Sequence, residues 1–263
     1  MDSRITPIQT NTNERKSEMN RNRLTKLLAA AMLALTLTSG CGSSEKQTAS
    51  APAVGTEQPD ARQTAVSMSD VDKINGDLFS FRLTEEGYTV TEFKLDASDM
   101  IIPAEFRGVP VTAIGDGAFV NCDRLERVVI PEGVTSIGDS AFYSCDNLVS
   151  VLIPSTVQEI GQGAFTKCVN LKSIDIPEGV TEIKLSTFYG CTGMESVTIP
   201  DTVTSIGISA FNYCDGLGSV TIPDSVTDIA YRAFWECTIT VNAPHDPDYY
   251  GYTPDRHVTW VTE

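Results

Sequence analysis

The chain has 263 residues, which is enough for one or two ordinary domains with a substantial hydrophobic core. Its formal net charge is −16, and the charge is unevenly distributed. The part that follows Cys41 holds 32 acidic residues against 13 basic ones, a formal charge of −19. Because a field of this sign repels phosphate backbones, the composition argues against a nucleic-acid-binding protein. We expect no nucleic-acid partner.

The N-terminal segment has the layout of an export signal. Three basic residues, Arg21, Arg23 and Lys26, precede a largely apolar run from Leu27 to Leu37, and small residues follow. A run of this length is well short of the roughly 20 residues that a permanent membrane-spanning helix needs. The apolar run is therefore predicted to be part of the signal and not a membrane span.

The end of this signal, Leu37-Thr-Ser-Gly-Cys41, resembles the bacterial lipobox. The resemblance implies that Cys41 is diacylated and becomes the first residue of the mature protein. Cleavage as a simple signal peptide at a small-residue site stays open as the alternative. Residues 1–18 are polar and mixed in charge, unlike the start of a signal, so we expect translation to begin at Met19. We predict a lipoprotein signal peptide over residues 1–41 and attachment to the outer face of the bacterial membrane through this lipid only.

Residues 42–69 have the composition of a tether. They contain no aromatic residue and are rich in Ser, Ala, Thr, Pro and Gln. Such a segment cannot bury enough apolar surface to offset its chain entropy. We predict that it is disordered and holds the folded part away from the membrane.

An internal repeat of constant length is the strongest signal in the sequence. Phenylalanine recurs six times at the same spacing, and a cysteine follows each phenylalanine by three positions. Columns of isoleucine, leucine or methionine, valine and proline keep the same step. The two clearest columns are Phe119, Phe142, Phe165, Phe188, Phe211 and Phe234, and Cys122, Cys145, Cys168, Cys191, Cys214 and Cys237.

Each part of the repeat has a physical reason. The V-x-I segment alternates inward and outward side chains like a strand, and the proline after it ends the strand because it lacks an N–H group. A second Val and Ile pair supplies further inward side chains. Glycine then permits a tight turn, and Asp116 or Asp139 with Ser140 offers caps for a short helical turn that carries Ala-Phe. One such unit forms a coil that buries its apolar side only against neighbouring coils.

The unit I-G-x-x-A-F-x-x-C-x-x-L-x-x-V-x-I-P closely resembles the BspA-like type of leucine-rich repeat over about residues 109–244. This type occurs in surface proteins of bacteria and some protists, and members of the family are associated with adhesion. The resemblance implies an α/β fold, a right-handed leucine-rich-repeat solenoid with a parallel sheet on its concave face. We assign six repeat units, each with the spacing of Phe119 to Phe142, to residues 113–244.

Both ends of a solenoid need caps. Alternating residues on both sides of Glu86-Gly87, within 78–95, predict a β-hairpin, and we assign residues 70–112 to an N-terminal β cap. Residues 245–263 are assigned to an irregular C-terminal cap that ends in a strand over 258–262.

The cysteine column does not fit catalysis or metal binding. Zinc sites use closely spaced pairs, whereas no two of these cysteines are closer in sequence than one full repeat. A nucleophilic cysteine needs a base, and the two histidines, His245 and His257, lie in the C-terminal cap. Buried thiols that act as small apolar residues are the favoured interpretation, and disulfides between stacked coils stay open. We predict no catalytic residue, no metal and no cofactor, and hence a protein that is not an enzyme.

Two smaller features also have a polar interpretation. The segment His245-Asp-Pro-Asp248 predicts a polar turn, and a small metal site is the less favoured alternative. An acidic row follows the repeat prolines, for which solvated turns are the default and weak calcium binding is the alternative. The row consists of Glu132, Glu178, Asp201 and Asp224.

The outward side chains of the V-x-I strands are the main candidate binding site, which we call the concave strip. It changes from basic and apolar at the first coils to hydroxyl-rich at the last, and its small hydroxyl residues leave the sheet accessible to a partner. An unselective strand surface, in which Ser and Thr are present because they favour strands, is the alternative. The strip consists of Arg127, Val129, Ser150, Leu152, Ser173, Asp175, Ser196, Thr198, Ser219, Thr221, Thr240 and Asn242.

A second candidate is the aromatic row that follows the repeat phenylalanine, namely Tyr143, Tyr189 and Trp235. Aromatic rings stack on sugars or anchor protein partners, and packing between coils is the alternative. The sequence itself predicts a lipid-anchored extracytoplasmic scaffold with an exposed surface, and the resemblance to the BspA-like family implies that it binds or adheres to a host-matrix or cell-surface protein. A carbohydrate-binding or cell-wall-binding module is the alternative, so the expected partner is an extracellular protein or glycan.

Overall fold

The computed structural model of the protein describes residues 68–95 and 97–262. The predicted signal peptide, the predicted lipidation site Cys41 and nearly all of the predicted tether lie outside these residues. The described part forms one compact unit. It begins with helix α1 (Met68–Leu78), which starts within the last two residues of the segment predicted as a tether.

Helix α1 was not predicted from the sequence, and it packs on the N-terminal cap. The Asp72 carboxylate accepts a hydrogen bond from the backbone N–H of Arg107 at 2.9 Å. Lys94 donates its ammonium group to the carbonyl oxygen of Gly76 at 3.1 Å. Together these bonds fix the short helix to the strands that follow it.

The predicted hairpin is confirmed. Strands β1 (Phe79–Leu83) and β2 (Tyr88–Phe93) pair antiparallel, and the turn between them contains Gly87 at φ 145°. A side chain at Gly87 would meet the carbonyl oxygen of Pro110 at 2.5 Å, so glycine is required there. Three more strands complete the cap, β3 (Asp99–Ile101), β4 (Glu105–Phe106) and β5 (Val109–Ile114).

Each repeat contributes two short strands, one to each of two stacks, and each strand pairs parallel with its counterpart in a neighbouring coil. The first stack begins with β3 and contains the V-x-I segments, and the second begins with β1, β2 and β5. The first stack continues through β6 (Arg127–Val129), β8 (Ser150–Leu152), β10 (Ser173–Asp175), β12 (Ser196–Thr198), β14 (Ser219–Thr221), β16 (Ile239–Ala243) and β17 (Val258–Thr262). The second continues through β7 (Ser136–Ile137), β9 (Glu159–Ile160), β11 (Glu182–Ile183), β13 (Ser205–Ile206) and β15 (Asp228–Ile229).

The pairing keeps the step of the sequence repeat. Within the first stack Arg127 pairs with Ser150 and Ser173 with Ser196, each pair one full repeat apart, whereas Ser219 pairs with Thr240 because the last coil is two residues shorter. The sets β3–β6–β8, β10–β12 and β14–β16–β17 are each hydrogen-bonded, and β2–β5–β7–β9 and β11–β13–β15 form the second stack. The fold is thus a solenoid of stacked parallel strands, as the sequence predicted.

The predicted helical turn around Ala-Phe is wrong in its detail. In the described residues α1 is the one α-helix, and each coil instead passes through hydrogen-bonded turns. Two residues four positions apart, such as Ser140 and Ser144, both have φ 53°. Because left-handed residues interrupt a right-handed helix, the Ala-Phe segment between them cannot extend into one.

The repeat phenylalanines form a stacked column through the core. Neighbouring rings are 4.8–5.7 Å apart between centroids and within 16° of parallel. Phe79 and Phe93 of the hairpin cover the first ring, Phe119, at 6.4 and 5.6 Å. Tyr252 covers the last, Phe234, edge-on at 6.1 Å. The two caps therefore shield the ends of one continuous aromatic column.

The C-terminal cap has the predicted final strand. β17 pairs parallel with β16, so that it adds one more strand to the first stack. A 3-10 helix (Pro247–Tyr250) precedes it, and the Asp246 carboxylate accepts a hydrogen bond from the N–H of Tyr249 at 3.0 Å. The segment 245–248 is therefore a capped turn, as its default interpretation predicted.

Candidate functional site

The concave strip is present as a continuous row of accessible side chains on the first stack. Central residues such as Val128 and Val151 point inward and are buried, whereas their neighbours point outward. Nine strip residues are exposed, and Val129, Thr240 and Asn242 are half-buried. The alternation predicted for these strands is confirmed, and ligand binding by the strip stays a prediction.

Polar contacts order parts of the strip. Arg127 forms an ion pair with Asp99 of β3 at 2.5 Å between Nε and Oδ1. Thr198 donates its hydroxyl to the Asp175 carboxylate at 2.9 Å. The basic start of the strip is thus partly neutralised, because Arg127 already has a carboxylate partner.

The strip is longer than the repeats alone predicted. β3 adds Asp99 and Ile101 beside Arg127 and Val129, and β17 adds Thr259 and Val261 beside Thr240 and Asn242, in the same registers. Sequence reasoning missed these four residues because the C-terminal cap lacks the V-x-I-P signature, and in the N-terminal cap methionine replaces its valine in Met100-Ile-Ile-Pro103. The alternation in 258–262 was the signal that could have placed Thr259 and Val261.

A cavity of about 430 Å³ lies at the C-terminal end of the strip. Thr221 and Asn242 of the strip line the cavity. Asp201, Asp224 and Ser225, which lie on the turns that follow the strands, also line it. The floor is apolar and consists of Ile222, Pro223, Ala243 and Pro244. Two members of the acidic row therefore meet two members of the concave strip in one concave site with hydroxyl, amide and carboxylate groups.

The aromatic row is not a continuous exposed surface. Tyr143, Tyr189 and Trp235 are each half-buried, and the side chains between them in the column, Thr166 and Asn212, are buried. The row therefore serves partly in packing between coils, which was the alternative interpretation.

Neighbouring side chains cover the rings of this row. The Lys167 ammonium group lies 5.7 Å from the Tyr143 ring centroid, and the Tyr189 ring packs edge-on against Tyr213 at 5.6 Å. Among the tyrosines of the C-terminal cap, Tyr249 is exposed, whereas Tyr250 and Tyr252 are 2% and 3% exposed. Of the three tyrosine rings of the C-terminal cap, two are therefore too buried to stack on a sugar.

The cysteine column is a buried ladder of thiols. Five of the six, from Cys145 to Cys237, are free and fully buried, so no disulfide links them, and Cys122 at the start of the ladder is half-buried. Each of the five donates its Sγ hydrogen to the carbonyl oxygen of a repeat phenylalanine one coil earlier, at 2.8–3.1 Å. The prediction that these cysteines pack in the core is confirmed.

Burial suppresses the reactivity of the ladder. It raises the pKa of Cys168 and of Cys237 to about 12, and that of Cys191 and Cys214 well above the ordinary value. For Cys145 the hydrogen bond with Cys122 raises the pKa further than burial does. Since the thiolate is the nucleophile, these groups are inert at neutral pH.

The described residues contain no group of three or more His, Cys, Asp or Glu side chains placed to hold a metal ion. The acidic row is exposed, as its default interpretation predicted. Across the same part of the chain, no helix combines the length and apolar character required to cross a membrane.

Comparison with known proteins identifies the repeat. The family model of the BspA type leucine rich repeat region matches six copies over residues 112–240. The chain therefore contains a BspA-type leucine-rich repeat region, as its sequence predicted. A comparison with curated proteins finds no match.

Two solved structures are similar to the chain over most of its described residues. A leucine rich cell surface protein from Faecalibacterium prausnitzii A2-165 is 34% identical, with a TM-score of 0.58, and the match covers 71% of this chain and 54% of that one. A T. pallidum leucine-rich repeat protein is 27% identical, with a TM-score of 0.55, and the match covers 63% of this chain and 84% of that one. This chain thus spans about half the length of the F. prausnitzii protein, and the family suggests a binding role.

Proposed function

We propose that the chain is an exported, lipid-anchored cell-surface protein that binds an extracellular protein ligand through the concave strip, without catalysis. The family and the similarity to a cell surface protein support export and binding. The lipobox-like segment that ends at Cys41 supports a lipid anchor. An adhesive role, to host matrix or to other cells, rests on the association of the BspA-like family with adhesion.

The observation that carries the proposal is the cavity at the end of the strip. Asp201 and Asp224 place two carboxylates beside the Asn242 amide and the Thr221 hydroxyl, above an apolar floor. A lysine or arginine side chain of a protein ligand suits this combination, since its stem packs on apolar atoms while its cation meets carboxylates. The strip beside the cavity, with its small hydroxyl side chains, leaves room for the backbone of the same ligand.

The experiment is a screen of the full chain against purified extracellular-matrix proteins and a glycan array, followed by matched variants. Asp224→Asn removes a carboxylate from the cavity, and Glu132→Gln removes the same charge from the same column at the first coil. We expect Asp224→Asn to weaken binding of a captured protein about tenfold, which corresponds to ~1.4 kcal/mol. Glu132→Gln should leave the affinity unchanged.

Two results would overturn the proposal. Equal effects of the two substitutions would show that the cavity has no special part in binding. Retention of full affinity when Thr221 and Asn242 are both replaced by alanine would exclude the concave strip.

The lipid anchor has its own test. Cys41→Ser should release the exported chain from the membrane fraction, and mass spectrometry of the wild-type chain should find a diacylated N-terminal cysteine. An unmodified mature N-terminus at another residue would contradict the anchor and leave the binding site untouched.

A further inference from the structure

A second exposed surface lies on the turn segments of the last three coils, and the repeat pattern does not predict it. Leu185, Ile208 and Tyr231 occupy one column, one repeat apart from each other, and are 43%, 48% and 63% exposed. Backbone hydrogen bonds join the three coils that carry these residues. The N–H of Ser186 donates to the carbonyl oxygen of Ile208 at 2.9 Å, and the N–H of Ser209 donates to that of Tyr231 at 3.2 Å. The three side chains therefore form an apolar row along the stack.

The first three coils use the same column differently. Asp116 and Asp139 accept hydrogen bonds from the backbone N–H groups of Asp139 and Gln162, each at 2.8 Å, so that these side chains tie one coil to the next. The side chains of Leu185 and Ile208 have no polar atoms and cannot make such bonds. Replacement of a structural bond by exposed apolar side chains weakens the stack, so this change requires another reason.

Arg232 stands beside this row with its donors unused. Its guanidinium carbon lies 4.9 Å from the ring centroid of Tyr231 and 4.8 Å from that of Trp235, so two aromatic rings hold it in place. No residue in the described part of the chain accepts a hydrogen bond from its side chain or pairs with its charge. A guanidinium that is fixed and carries free donors is prepared for a bidentate anionic partner.

The local charge also favours an anionic partner. Residues 185–189, 208–213 and 230–235 contain no Asp or Glu, although the whole chain has a net charge of −16. Arg232 is therefore the one charged residue within these segments, and the nearest acidic residues in sequence, Asp228 and Glu236, lie outside them. Exposed Tyr213, at 41%, extends the apolar area beside Tyr189.

The composition is that of a protein interface core. Such cores are enriched in aromatic residues and arginine and depleted of acidic residues and lysine, and exposed apolar patches mark interaction sites. Stacked coils are ~4.8 Å apart, so Leu185 and Tyr231 are separated by roughly 10 Å, the length of about three extended residues. One extended segment can reach both.

We propose that the aromatic–arginine patch, consisting of Leu185, Ile208, Tyr213, Tyr231, Arg232 and Trp235, docks an extended acidic segment of a partner protein. A carboxylate of that segment pairs with the Arg232 guanidinium, and an apolar side chain two or three residues away packs on Leu185 and Ile208. The inference rests on the proposed protein-binding role and assigns it a second surface, apart from the concave strip.

The test is a selection of displayed random peptides on the immobilised full chain, followed by affinity measurements with synthetic peptides. We expect enriched peptides that carry Asp or Glu two or three positions from a large apolar residue. Arg232→Gln should weaken their binding at least tenfold, Arg232→Lys should restore part of it, and replacement of the peptide's acid by its amide should abolish the difference between wild type and Arg232→Gln.

The matched control is Arg82→Gln, which removes the same charge from an exposed position in the N-terminal hairpin. It should bind the acidic peptides as the wild type does. Equal losses in Arg82→Gln and Arg232→Gln would reduce the effect to net charge and overturn the proposal.

The remaining outcomes separate this surface from the concave strip. Recovery only of basic peptides whose binding depends on Asp224 and not on Arg232 would support the cavity and overturn the patch. Arg232-dependent binding of polygalacturonate in the absence of acidic-peptide binding would also overturn the proposal, in favour of an acidic polysaccharide.

Discussion

The Sγ atom of Cys168 donates a hydrogen bond to the carbonyl oxygen of Phe142, which lies 3.1 Å away in the preceding coil. The same bond joins each of the five buried cysteines to the phenylalanine of the preceding coil. Burial shields these five thiols from solvent and hence from oxidants. The ladder therefore contributes to packing between coils and carries no chemistry at neutral pH.

Alkylation of the native chain should follow burial. We expect iodoacetamide at pH 8 to modify the half-buried Cys122 first, and to modify Cys145 to Cys237 only after unfolding, because a buried thiol with a raised pKa forms little thiolate. Mass spectrometry of peptides, with and without denaturant, measures this order. Rapid native modification of Cys168, or fewer than six alkylated ladder cysteines in denatured, unreduced protein, would contradict the ladder.

The raised thiol pKa values also predict the stability of the chain at high pH. At pH 9–11 the buried thiols remain neutral in the folded state, since the pKa of Cys168 and Cys237 is about 12, whereas unfolded cysteines ionise near pH 8.5. The unfolded chain then binds fewer protons, so the free energy of unfolding falls as pH rises through this window. Each thiol contributes roughly 1.4 kcal/mol per pH unit.

The measurement is urea unfolding between pH 8 and pH 11. Cys168→Ala should make the decrease of unfolding free energy with pH shallower by roughly 1.4 kcal/mol per pH unit, the contribution of one thiol. The variant should also be less stable at pH 8, because the substitution leaves an unfilled cavity. An unchanged slope would mean that Cys168 does not titrate on unfolding.

How far the sequence predicts this protein depends on whether a column keeps its residue type. Phe142 and Cys145 were assigned to the core correctly because buried positions repeat in every coil. Leu185 and Ile208 were missed because their column begins with aspartate and changes type after Gln162. The signal that could have found them is that change of type within one column.

The helical elements were predicted less well than the strands. Helix α1 has few apolar residues and holds Gly76 near its end, so its periodicity is weak, and its hydrogen bonds to the cap stabilise it. The predicted turn of helix around Ala-Phe failed because Ser140 and Ser144 adopt the left-handed conformation. Serine carries no sequence signal for that conformation, which only the stacking of coils imposes.

Glycine at the coil turns should be required for close stacking rather than for flexibility. A Cβ atom at Gly161 would lie 2.5 Å from the N atom of Asp139 and the carbonyl carbon of Gly138 in the preceding coil. We expect Gly161→Ala to lower the free energy of unfolding by ~1–3 kcal/mol through overpacking, measured by urea denaturation at pH 7. Gly218→Ala is the matched control, because its Cβ would have no atom within 4 Å. That control should be neutral or more stable by about 0.4–1 kcal/mol, and a loss equal to that of Gly161→Ala would contradict the stacking argument.

The N-terminal hairpin should be essential to the stability of the first coil. Phe79 is 1% exposed and contacts both Phe93 and Phe119, at the end of the stacked phenylalanine column. Phe79→Ala removes one of the two rings that cover Phe119, and we expect a loss of ~3–5 kcal/mol in the free energy of unfolding. Leu83→Ala, on the same strand but 61% exposed, should change it by less than about 0.5 kcal/mol.

The two variants also differ in what they expose. An uncovered solenoid end presents Phe119 and the unpaired edge of its coil, which favours association of chains. Size-exclusion chromatography should therefore show larger species for Phe79→Ala and none beyond the wild-type pattern for Leu83→Ala. If Phe79→Ala is destabilised but keeps the wild-type elution profile, the ring is needed for packing alone and the remaining strands of the hairpin suffice to cap the stack.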